Sequence, residues 1–104
     1  MHLIEIFLPV SDNQGREQSS ELFAQVRQEL IDRFGGLTAF TRSPAKGLWQ
    51  SDDKDAQRDD IVIYEVMAES LDRAWWREYK LELERRFEQQ EMVIRSHQIE
   101  LIGG

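Results

Sequence analysis

Residues 61–67 read IVIYEVM, with four β-branched residues and a tyrosine in seven positions. Such a run, preceded by the polar stretch SDDKDAQRDD (51–60), favours an extended strand. Working outward, residues 3–8 (LIEIFL) form a second short apolar run that ends at Pro9, and we read it as the first strand. Residues 11–18 (SDNQGREQ) are turn formers and polar residues, a loop. From Ser19 or Ser20, Leu22, Phe23, Val26, Leu30 and Phe34 recur at three- and four-residue spacing, which predicts a helix closed by Gly35-Gly36. LTAFTR (37–42) is the second strand, broken by Ser43-Pro44, and AKGLW leads into the solvated connection at 51–60. Beyond the third strand, Ser70 is the expected cap of a second helix, with Asp72 in its first turn. Trp75, Trp76, Tyr79, Leu83 and Phe87 fall within about 120° on a helical wheel, whereas Ala74 and Leu81 lie opposite. A fourth strand is expected from about Met92 to Ile102. The order β-α-β-β-α-β is the ferredoxin-like arrangement, an α+β domain over residues 1–104. Right-handed crossovers place both helices on one face of a four-stranded antiparallel sheet.

Composition narrows the chemistry. Twenty acidic side chains against thirteen Lys and Arg leave a net charge of −7 over 104 residues. That balance argues against nucleic-acid backbones and anionic membrane surfaces as partners. The absence of cysteine removes disulfides, thiolate metal sites and cysteine nucleophiles. The opening MHLIEIFLPV carries neither a basic leader nor a cleavage motif, so a cytoplasmic protein is the expectation. No cofactor is expected. His2 and His97 are the only histidines, with no close ligand spacing, and the acidic run at 52–60 lacks the glycine and terminal glutamate of an EF-hand loop. An RNA-recognition domain shares the element order, but its third strand reads basic-Gly-aromatic where this one reads DDIVIYEV.

Alternation divides each strand between two faces. Ile4, Ile6, Leu8, Val62, Tyr64, Val66 and Ile94 suit the helix side. The other set is Leu3, Glu5, Phe7, Leu37, Ala39, Thr41, Ile61, Ile63, Glu65, Met67, Val93, Arg95, His97 and Ile99. A water-facing sheet surface is mostly polar, and this one is not. Burying even ~500 Å² of apolar area is worth on the order of 12 kcal/mol before the costs of association. A second copy of the chain is the simplest cover, since two-fold dimers are the commonest assemblies.

Two candidate sites follow. On the open face, Arg95 is placed to hold an anionic group, and His97 to act as acid or base with Glu65 orienting it. The competing reading pairs Arg95 internally with Glu5 or Glu65 and leaves His97 at the rim. The second cluster is Thr41, Arg42, Trp49 and Arg58 around the Pro–Gly loop, read either as a lid or as structural. Trp75 and Trp76 read as core rather than a stacking platform.

The segment GGLTAFTRSPAKGLW (35–49), with RDDIVIYEVM (58–67) and DRAWWREYKLELERRFEQQEMVIR (72–95), resembles an uncharacterised family of small bacterial proteins. The resemblance implies a ferredoxin-like domain similar to the dimeric α/β-barrel group, and it implies no reaction or catalytic residue. Three readings of function remain: a homodimer with a small anionic or partly apolar ligand on its sheet face, a non-enzymatic assembly domain, or a cofactor-independent enzyme of the dimeric barrel type.

Overall fold

The computed structural model of the protein describes residues 1–42 and 61–103. Two central strands, β1 (His2–Pro9) and β3 (Ile61–Ala68), pair antiparallel from His2–Ala68 to Pro9–Ile61. β2 (Thr38–Arg42) lies outside β3, and β4 (Ile94–Gln98) lies outside β1. The sheet order β2-β3-β1-β4, all antiparallel, with α1 (Ser20–Phe34) and α2 (Arg73–Arg86) in the connections, is an α+β ferredoxin-like fold. Among the described residues no helix is long and apolar enough to cross a membrane.

The core is the layer between helices and sheet. Ile4, Ile6 and Leu8 of β1 meet Tyr64 and Val66 of β3, Val26 and Leu30 of α1, and Trp76, Tyr79, Leu83 and Phe87 of the α2 region. Successive strand residues point to opposite faces, so the β1 burial alternates as its sequence predicts. Phe34 stacks on Trp76 at 5.4 Å, and Trp75 stacks on Tyr79 at 4.7 Å, so both tryptophans are packing residues.

A polar clamp joins the helices. Arg86, its side chain 14% exposed, donates two parallel hydrogen bonds to Glu29 at 2.8 and 2.9 Å and a third to Glu82. The Tyr79 hydroxyl also donates to Glu29. Burial works to raise the Glu29 pKa, but the bonds from Arg86 and Tyr79 outweigh it and hold the carboxyl below its ordinary value.

Helix α1 starts at an expected cap, Ser19, whose hydroxyl accepts from the Glu21 N–H. It ends at Gly35, whose φ of 83° is the left-handed conformation that glycine adopts at no steric cost. Helix α2 departs from expectation: its cap is Asp72, not Ser70, and the Asp72 carboxylate accepts from the Trp75 N–H. Leu71 packs against the core, which holds the chain extended past Ser70 before the helix turns. Strand β4 is also shorter than Met92–Ile102. Met92 is buried, and its N–H is taken by the Glu84 side chain rather than by the sheet. At the other end β4 stops at Gln98, and the Ile99 N–H donates to the Met1 carbonyl.

The register corrects one face assignment. Ala39 pairs with Tyr64, and Thr41 with Val62, so Leu37, Ala39 and Thr41 belong to the helix side. Thr38 and Phe40, paired with Glu65 and Ile63, take their place on the open face.

Candidate functional site

Two cross-strand rows build the open face. The apolar row runs Phe40–Ile63–Phe7 across β2, β3 and β1. It continues toward Val93, whose carbonyl accepts from the Phe7 N–H at 3.0 Å. Ile63, which stands outside the helix-side core, is only 1% exposed, with Phe7 and Phe40 as its cross-strand neighbours. Phe40, Met67 and Val93 remain exposed.

The adjacent polar row runs Thr38–Glu65–Glu5–Arg95. Arg95 Nε donates to Glu5 Oε1 at 2.8 Å, and the guanidinium lies 4.7 Å from the centre of the Phe7 ring. Glu5, its side chain 12% exposed, is held below its ordinary pKa by the hydrogen bond from Arg95. Glu65 is pushed the other way, first by desolvation and then by the negative charge of Glu5 beside it. Glu5 and Glu65 are direct cross-strand partners, so their carboxyl groups are drawn apart in pKa, one lowered and one raised.

The sequence-predicted site is thus partly assembled. Glu65, Arg95 and His97 share the open face, with His97 opposite Leu3 and exposed. Glu65 faces Glu5 rather than making a hydrogen bond to His97, and Arg95 is bound to Glu5, the internal pairing weighed against an anion-holding role. Thr41 does not join them: it lies on the helix side near Ser20, Phe23 and Arg27, bordering a different hollow. Arg42 ends β2 opposite Ile61. Trp49 and Arg58, with the Pro–Gly loop and the connection at 51–60, lie outside the described residues. Of the hollows among the described residues, Arg95 borders the one between α2 and β4, and His97 borders none of the three at α2–β4, at β2–α1 and at the end of β3.

A second feature meets the predicted sites only at Arg95, which borders it. Arg73, Arg77 and Lys80 line a hollow of about 230 Å³ between α2 and the edge strand β4, over Trp76 and Ile94 and beside Ser96. Their spacing of four and three residues puts them on one helical stripe, a signal present in the sequence.

Compared with protein-family profiles, curated proteins and solved structures, the chain matches none.

Proposed function

We propose that this domain acts as a self-assembly module, a homodimer closed through the open sheet faces. The observation that carries the reading is the apolar row Phe40–Ile63–Phe7 with exposed Met67 and Val93 around it, on a face that no described helix covers. The neighbouring polar row supports a second copy as the occupant. It is acidic at Glu65 and cationic at Arg95. A two-fold axis sets the acidic end of one row against the cationic end of the other, which makes the face self-complementary. Sheet-on-sheet pairing is also what the resemblance to the dimeric α/β-barrel group implies.

Each copy carries −7 and a pair −14, so added salt strengthens association by screening the repulsion. Sedimentation velocity over a micromolar concentration series tests the proposal. The wild-type chain sediments as a dimer, and Phe40→Glu, which places a charge on an exposed position of the apolar row, sediments as a monomer. A wild-type monomer at every concentration and salt level overturns it, as does a dimer indifferent to Phe40→Glu and Val93→Lys.

A further inference from the structure

We propose that the hollow between α2 and β4 is a binding site for a small organic anion, an aryl or short-chain carboxylate or phosphate. The hollow lies on the helix side of the sheet, and Arg95 of the open face borders it at the β4 edge.

The first argument is charge. In a chain of net charge −7, three cations of α2 line one hollow. Six other arginines are engaged: Arg16 with Asp12, Arg27 with the Tyr64 hydroxyl, Arg33 with Asp72, Arg85 with Glu82, Arg86 with Glu29 and Arg95 with Glu5. Arg73 and Arg77 have no hydrogen-bond or ion-pair partner among the described residues. Like charges four residues apart on a helix repel each other and destabilise it. An anion between them reverses that repulsion, and two guanidinium forks match a carboxylate or phosphate in geometry. Arg73 is also the first residue of α2, where the helix dipole favours negative charge.

The second argument is the shape and lining of the hollow. Trp76 and Ile94 give it an apolar floor, and the Ser96 hydroxyl is a further donor at its strand side. A free phosphate uses only the charges, whereas an anion with an aromatic or alkyl part also uses the floor. The volume of about 230 Å³ falls below the ~300–1,000 Å³ of drug-sized sites, which limits the ligand to a small one. Lys80 contributes less than its position suggests, because it already bridges Glu91 at 2.8 Å and Glu84 at 3.7 Å. The anion is therefore held by Arg73 and Arg77.

An NMR titration of the full chain tests this with four probes: phenyl phosphate, benzoate, inorganic phosphate and benzyl alcohol. The two aromatic anions shift the backbone amides of Arg73–Lys80 and Ile94–Ser96 saturably, inorganic phosphate does so more weakly, and benzyl alcohol does not. Arg73→Gln and Arg77→Gln each weaken binding about tenfold, the equivalent of one charge-assisted hydrogen bond, and Lys80→Gln weakens it less. The wild-type shift map stands whether or not the variants fold. Shifts that do not saturate, that map elsewhere, or that both arginine variants retain overturn the site. Equal affinity for inorganic phosphate overturns the apolar half of the assignment.

Discussion

Replacing Glu65 by Gln is expected to stabilise the separate chain at neutral pH, against the usual direction for a substitution in a folded protein. Glu65 and Glu5 are direct cross-strand partners, and only Glu5 is hydrogen-bonded to Arg95. Like charges so placed cost about 0.2–1 kcal/mol, and a side-chain amide restores a donor toward the Glu5 carboxylate, so a gain near ~1 kcal/mol is expected. For a domain of this size that corresponds to roughly 4–8 °C in melting temperature. The pH dependence carries the test. The Glu65 pKa is raised above its ordinary value of 4.5, so its contribution is fully present below that value and is lost as pH rises through the folded value. Glu5 has a lowered pKa and behaves oppositely: its contribution is present above 4.5 and is lost as pH falls through the folded value. The amide of Glu65→Gln cannot titrate, so the advantage of the variant is full near neutrality and shrinks as wild-type Glu65 regains its proton in acid. Thermal melts by circular dichroism between about pH 7.5 and pH 4, extrapolated to the dilute limit, measure it. In the proposed dimer a second copy's Arg95 approaches Glu65, so the gain also declines with protein concentration. A variant that melts at or below wild type near neutrality in the dilute limit, or one whose advantage is the same at both ends of the range, would refute the reasoning.

The packing makes two further predictions. Trp76→Ala removes a side chain only 7% exposed that stacks on Phe34, and should cost ~3–5 kcal/mol in chemical denaturation; Trp75→Ala, half-buried, should cost less. Equal, small effects from both would contradict the core assignment. Asp72→Ala should cost ~1 kcal/mol as the loss of a helix cap, with Ser70→Ala close to neutral. The reverse ranking would return the cap to Ser70.

How much of the fold the sequence makes legible depends on whether one residue type dominates each alternation set. In β1 it does, whereas in β3 the burial of Ile63 beside Tyr64 breaks the alternation. Ile4, Ile6 and Leu8 stand against Leu3, Glu5 and Phe7, and the burial follows directly. In LTAFTR it does not, because Leu37 and Phe40 are an odd number of residues apart and each set receives one large apolar side chain. Only the pairing of Phe40 with Ile63 decides, and a strand pairing is a tertiary fact. The end of β4 is illegible for a related reason. Residues 99–102 have strand-like composition, but the pairing of β4 with β1 ends at Gln98 opposite His2, and where a pairing ends is a tertiary fact. The two candidate caps, Ser70 and Asp72, differ by a packing contact at Leu71 that propensity does not register.

The candidate sites show the same division. That Arg95 finds Glu5 rather than Glu65 follows from sheet order: β1 lies between β3 and β4, so Glu5 stands between the other two in one row. The charges are visible in the sequence, and the order of strands is not. On α2 the apolar stripe masks its neighbour. Trp75, Trp76, Tyr79 and Leu83 account for the helix as a core element, and the basic stripe beside them then passes as solvated surface. What distinguishes it is local accounting. Lys80 is neutralised by Glu84 and Glu91 within α2 and the segment after it, whereas Arg73 and Arg77 face the β4 edge across Trp76, in a hollow whose described lining holds no carboxylate. A cationic stripe on an open helix face is ordinary. The same stripe walled by an edge strand and floored by an indole is a recess whose Arg73 and Arg77 have no partner among the described residues, which makes an anion its natural complement.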